Sequence, residues 1–206
     1  MSTSYIKHLC DFDRVVERDL KNIFLNIGSG IINKEFIIIP ENREKVTNLL
    51  KYFTGNEGKY DINKGIYIFG AYGCGKTILI QTIRKFLASV FPFSGNGFQI
   101  TSLEQIIETY KSEKSLDYFG YKKESTPVHL CINEFGKILE EKIYGTDANS
   151  IIDSLFMIRY ELFQQGYLTH VTSNFHPKEL NISPVIRDRL NEMFNFIEFK
   201  GDSFRK

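Results

Sequence analysis

From Gly65 onward the chain alternates strand-length apolar runs with stretches of helical spacing. Ile66-Tyr67-Ile68-Phe69 is the first such run, and Ile78 to Val90 carries its apolar residues on one helical face. Phe98-Gln99-Ile100-Thr101 and Leu103 to Tyr110 repeat the pair. Val128 to Ile132 is an apolar run broken by His129 alone, as suits a parallel strand buried on both faces. A helix over about Asn149 to Gln165, a strand Leu168 to Thr172, a helix Ser183 to Met193 and a strand Phe194 to Phe199 complete the pattern. Five strands separated by helices predict an α/β fold, a five-stranded parallel sheet with helices on both faces.

The first 40 residues break this rhythm. They mix short apolar groups with charges, and Gly28-Ser29-Gly30 divides a predicted helix, Phe12 to Asn26, from the run Phe36-Ile37-Ile38-Ile39. Residues 1–40 therefore read as a short N-terminal extension and 41–206 as the core domain. Pro40 opens a further helix, with Val46, Leu49, Leu50 and Phe53 on one face, which ends near Gly55 and Gly58.

Composition narrows the class. A chain of 206 residues that is 42% hydrophobic and 14% aromatic supports one core of good size. With 26 Lys and Arg against 25 Asp and Glu, the net charge of +1 gives no bulk attraction to nucleic acid, so such a site would be a local patch. Cys10, Cys74 and Cys131 have no metal-type spacing and are too sparse for a disulfide framework, which points to a reducing cytoplasm. The N-terminus has no apolar stretch for a signal peptide, and no window approaches the roughly 20 apolar residues of a membrane span.

Between the first strand and its helix stands Gly70-Ala71-Tyr72-Gly73-Cys74-Gly75-Lys76-Thr77, a full match to the phosphate-loop pattern G-x-x-x-x-G-K-[ST]. Glycines let backbone N–H groups curl around phosphates without Cβ clashes, and a helix beginning near Lys76 offers its positive end to the anion. The binding set is Gly70, Tyr72, Gly73, Cys74, Gly75, Lys76, Thr77 and Ile78. Lys76 is expected on the β- and γ-phosphates of ATP, and the Thr77 hydroxyl on Mg²⁺. A Gly-rich turn with a chance Lys-Thr is the bland alternative, and the flanking strand and helix argue against it.

Acidic chemistry is expected at the carboxyl end of a neighbouring buried strand. Val128-His129-Leu130-Cys131-Ile132-Asn133-Glu134 has that form, with Glu134 as general base and Asn133 on the metal side, where a carboxylate is usual. An amide lacks the charge that favours Mg²⁺, so weaker metal binding and slow turnover are expected. Asn174, after Thr172-Ser173, could hold the attacking water, although Asn after a strand is often only a turn former.

At this point the chain resembles the DnaC and IstB families of AAA+ ATPases, bacterial helicase loaders and transposition helpers. The resemblance rests on GAYGCGKT, on INEFG, on Asp153 to Asn174 with its Leu155-Phe156, Arg159-Tyr160 and Thr172-Ser173-Asn174, and on Val185 to Arg205. It implies that Asn174 is the sensor of the γ-phosphate and that Arg189, with Arg187 as second choice, acts on a neighbouring subunit's nucleotide. A surface helix face with local charge pairs is the bland reading of both arginines. The chain departs from the family at Asn133, and its end at Lys206 leads to the expectation that the small helical lid domain is absent.

The resemblance implies an ATP-hydrolysing assembly factor, homo-oligomeric with ATP, whose partners are single-stranded DNA and a replicative helicase or transposase. The alternatives are a nucleotide-gated binding protein with little turnover and a small-molecule kinase. Lys111 to Lys123 interleaves Lys111, Lys114, Lys122 and Lys123 with Tyr110, Tyr118, Phe119 and Tyr121, and is the candidate DNA contact.

Overall fold

A computed structural model of the chain describes residues 14–92, 97–120, 127–136, 148–180 and 182–204, and the side chains of all of these except 14–18, 148 and 149. The elements, in chain order, are α1 (Arg14–Ile32), α2 (Pro40–Phe53), β1 (Gly65–Gly70), α3 (Lys76–Val90), β2 (Gln99–Ser102), α4 (Leu103–Glu113), β3 (Leu130–Phe135), α5 (Ala148–Gln164), β4 (Thr169–Ser173), α6 (Pro184–Met193) and β5 (Phe194–Phe199). The chain falls into two compact units. One holds the described residues within 1–62, 73–97 and 199–206, and the other those within 63–72 and 98–198.

The second unit is built on the predicted five-stranded parallel sheet, in the order β2-β3-β4-β1-β5. Its core joins Ile132, Val171 and Tyr67 of the central strands to Ile106 of α4, Phe156 of α5 and Leu190 of α6, each at most 1% exposed. Local signals set the helix starts. Ser102 caps α4 by accepting Gln105 N–H at 3.1 Å, and the Gln105 side chain returns the bond to Ser102 N–H. Ser183 caps α6 by accepting Ile186 N–H at 3.3 Å, with Pro184 in the first turn.

Arg159 of α5 is fully buried in this unit. Its Nε donates to Thr169 Oγ1 at 2.8 Å, one terminal nitrogen donates to the carbonyls of Phe119 and Val128, and the other to those of Tyr167 and Leu168. The guanidinium thus ties the chain entering β3 to the turn before β4 through neutral carbonyl and hydroxyl acceptors. Two buried imidazoles share the region. His129 Nδ1 accepts Leu168 N–H at 2.9 Å and His170 Nδ1 accepts Ile66 N–H at 3.2 Å. Burial first and the Arg159 charge after it hold His129 down to about 4; burial, His129 and Arg159 hold His170 down to about 3.

In the first unit α1 packs on α3, with Phe24 edge-on to Phe86 at 5.8 Å between ring centres. The structure corrects the reading of α1, which runs straight through Gly28-Ser29-Gly30 to Ile32 instead of stopping at Asn26. Glycine weakens a helix, but here a Cβ on Gly28 would overlap the Phe36 ring, so the glycine admits the returning chain. Ser29 Oγ fixes that return by accepting Phe36 N–H at 2.9 Å while donating to Leu25 O at 3.0 Å. The run Phe36 to Ile39 forms no strand, and Ile39 is extended ahead of α2. Among the described residues no helix is long and apolar enough to cross a membrane.

Candidate functional site

The carboxyl edge of the sheet gathers the polar residues. Register places Ser173 of β4 beside Phe69 of β1 on one side and Phe135 of β3 on the other. Gly70, Asn174 and Glu134 therefore stand at the ends of three consecutive strands, with the β4 residue in the middle. This is the edge at which open parallel sheets bind ligands.

Glu134 adopts φ +57, in the left-handed region that non-glycine residues avoid at a cost of about 1–2 kcal/mol. The ladder between β3 and β4 shifts register between Ile132 and Phe135, so β3 runs three residues beyond the apolar stretch and carries Asn133 and Glu134 within it. Thr172 holds the irregularity in place. Its hydroxyl donates to Asn133 Oδ1 at 2.6 Å and accepts Glu134 N–H at 3.1 Å. Ser173 adds a second tie, donating to Phe135 O at 2.7 Å and accepting Phe175 N–H at 3.0 Å. Asn133, Glu134 and Asn174 are each half-buried.

The loop after β1 has the backbone its sequence demands. Gly73 lies at φ +78 and Gly75 at φ +96, and Gly75 is the left-handed residue from which α3 departs. Such angles are strained for any residue with a Cβ. Lys76, 7% exposed, donates Nζ to Cys74 Sγ at 3.6 Å within the loop. Thr77 and Ile78 form the first turn of α3 with half-buried side chains. Tyr72 is 59% exposed, so its ring is available to a ligand or partner. The loop has the strand, left-handed glycines and helix N-terminus that backbone anion binding requires.

The two arginines of α6 differ. Arg187 donates to Leu180 O at 3.1 Å, which fastens it to its own chain, and its buried Nε has no hydrogen-bond partner among the described residues. Arg189 packs its side chain against α5, its guanidinium carbon 4.6 Å from the centre of the Tyr160 ring and one nitrogen against Met157 Sδ. Tyr160 in turn donates its hydroxyl to Glu192 at 2.8 Å. Met157 of α5 and Val185 of α6, the helix of Arg189, are 41% and 58% exposed.

The proposed DNA stretch is only partly available. Lys111, Lys114 and Tyr118 are exposed, but Phe119 is 2% exposed and its carbonyl serves Arg159, so Phe119 is no stacking platform. Tyr121, Lys122 and Lys123 lie outside the described residues, as does Cys10. Cys74 and Cys131 are buried free thiols, and no cluster of metal-ligating side chains exists among the described residues. Thr172 and Ser173 are the contributors that residue chemistry alone missed. Their place in the Thr-Ser-Asn block of the family resemblance was the available signal.

No protein-family model matches the chain, and no curated protein matches it significantly. Solved structures do. A DnaI structure is 18% identical, with a TM-score of 0.59, over 80% of this chain and 88% of that one. The DnaC helicase loader is 18% identical, with a TM-score of 0.54, over 82% of this chain and 94% of that one. A replication initiator DnaA bound to AMPPCP and single-stranded DNA is 18% identical, with a TM-score of 0.56, over 81% of this chain. The chain spans about half the length of that DnaA, 49%. At such identities the likeness speaks for the fold alone, a five-stranded parallel sheet with helices that this chain shares with those domains.

Proposed function

We propose that the protein binds Mg·ATP through Gly70–Thr77, hydrolyses it, and acts through ATP-dependent oligomerisation as a helicase loader or an accessory ATPase of DNA replication or transposition. One observation carries the reading. Glu134 is held in a left-handed conformation at the carboxyl edge by the β4 hydroxyl of Thr172, one strand away from the start of the glycine loop. Strain maintained by specific bonds in a polar edge is what a positioned catalytic carboxylate requires and what a solvated turn does not.

In this reading Lys76 meets the β- and γ-phosphates, Glu134 orients the attacking water, and Asn174 reads the γ-phosphate. Thr77 and Asn133 are oxygen donors of the kind Mg²⁺ prefers, and the ion would neutralise phosphate charge. Arg189 completes the neighbouring subunit's site, favoured over Arg187 because Arg187 is committed to Leu180. The likeness to the DnaC helicase loader and to a DnaA bound to single-stranded DNA supports a helicase partner and a DNA ligand, and the transposase alternative rests on the resemblance to IstB alone. A nucleotide-gated binder with little turnover is the second reading, favoured by the amide of Asn133.

Steady-state ATP hydrolysis with and without single-stranded DNA tests the proposal, run beside a search for phosphorylated small acceptors. DNA-stimulated hydrolysis supports it. A transferred phosphoryl group contradicts it in favour of a kinase, and binding without hydrolysis leaves the nucleotide-gated binder.

A further inference from the structure

The chain leaving β5 comes back to the glycine loop. Asn42, 3% exposed in the first turn of α2, grips Lys200 from both sides, donating Nδ2 to its carbonyl at 2.7 Å and accepting its N–H at 3.2 Å. Gly201 then turns at φ +126 past Ile39, whose Cδ1 stands 2.7 Å from where a Cβ would be. Phe204 N–H donates to Gly73 O at 3.1 Å. A Cβ on Gly73 would overlap Ser203 Oγ and stand 3.1 Å from Ser203 Cα. All of these residues belong to one compact unit.

We infer that residues 200–204 are a clasp that positions the glycine loop for phosphate, with the Phe204 N–H as the positioning group. The inference rests on Gly70–Thr77 being the nucleotide site. The peptide unit is planar and trans, so its carbonyl and its N–H point in opposite directions. A bond that draws the Gly73 carbonyl toward Phe204 therefore aims the Cys74 N–H away from the clasp. Gly73 at φ +78 is a conformation glycine adopts without cost but does not hold by itself, because glycine is free to leave it. The bond from Phe204 supplies the restraint. Ser203 closes the space beside Gly73, so that only glycine fits. The Phe204 ring is 47% exposed, which leaves its backbone donor as the part the loop uses. Asn42 anchors the far end of the clasp, so the restraint does not depend on a loose tail.

The experiment is calorimetric titration of the full chain with Mg·AMPPCP, together with the melting temperature of each ligand-free protein. Phe204→Pro removes the donor and is expected to weaken binding about fivefold, the worth of one hydrogen bond. Phe204→Ala keeps the N–H and should bind as the wild type, with both variants melting alike. Wild-type affinity in Phe204→Pro, an equal loss in Phe204→Ala, or a loss mirrored by the melting temperature overturns the clasp. Lys76→Ala separates the two levels: loss of binding there with none in Phe204→Pro defeats the clasp alone, whereas wild-type binding in Lys76→Ala defeats the site itself. Should Phe204→Pro not fold, Gly73→Ala is compared with Gly73→Ala/Ser203→Gly. Partial recovery of affinity in the double variant upholds the clasp, and equal affinities overturn it.

Discussion

Thr172 Oγ1 donates to Asn133 Oδ1 at 2.6 Å and accepts the N–H of the next residue, Glu134, at 3.1 Å, so one hydroxyl on β4 fixes both polar residues at the end of β3. Thr172→Val keeps the shape and deletes both bonds. The expected stability cost is about 1–3 kcal/mol, because a half-buried donor and acceptor lose their partner. Turnover at saturating ATP should fall at least tenfold, since the left-handed Glu134 loses its restraint, while nucleotide affinity changes little. Single-turnover hydrolysis beside calorimetric binding separates the two effects.

Asn133→Asp should raise turnover and sharpen its dependence on Mg²⁺. A carboxylate oxygen accepts the Thr172 hydroxyl as an amide oxygen does, so the local geometry survives while the metal side gains a charge. ATPase rate against Mg²⁺ concentration checks it. An unchanged or lower rate would mean that Asn133 does not face the metal.

Much of this arrangement was legible in the chain and part was not. The apolar run, glycines and Lys-Thr around β1 are contiguous, so periodicity and motif suffice to place the loop. The end of β3 is different: Asn133 and Glu134 continue the strand where Asn133 pairs with Ser102 of β2 and Thr172, 38 residues from Glu134, bonds both of them across the sheet. The glycines of α1 read as a break because the sequence does not reveal that Phe36 packs into the space left by Gly28. Arg159 reads only as part of the Arg-Tyr block until acceptors from five residues converge on it, and the clasp joins Gly73 to a segment far along the chain.

Arg159→Met should be among the most damaging changes outside the proposed site. It leaves the carbonyls of Val128 and Leu168 and the Thr169 hydroxyl without their donor, at an expected total of about 3–5 kcal/mol in urea denaturation.

Acid should unfold the second unit through its imidazoles. The folded values, about 4 for His129 and about 3 for His170, lie below the ordinary 6.5, so the unfolded chain binds protons first as pH falls. Their contribution is complete above about pH 6.5, declines below it and is exhausted near the folded values. His129→Asn, which can still accept the Leu168 N–H, should flatten that decline in denaturation midpoints measured from pH 7 to 4. A decline as steep as the wild type's would assign the acid sensitivity elsewhere.

Arg189 should act across subunits. Arg189→Ala and Glu134→Gln proteins should each bind ATP yet hydrolyse it poorly, since an arginine supplied to a phosphoryl-transfer site is worth about 10³ to 10⁵ in rate. Mixed, they should recover activity, because some interfaces then pair an intact Glu134 with an intact Arg189, and the recovery should rise with protein concentration. A mixture as inactive as its parts would confine Arg189 to its contacts with Tyr160 and Met157.

The central claim is that Gly70–Thr77 is a nucleotide site, and calorimetric titration of Mg·ATP into the wild type and into Lys76→Ala tests it most directly. Saturable binding to the wild type is expected, with its loss in Lys76→Ala at an unchanged melting temperature. Equal affinity in the two proteins, or no binding to the wild type, would contradict it.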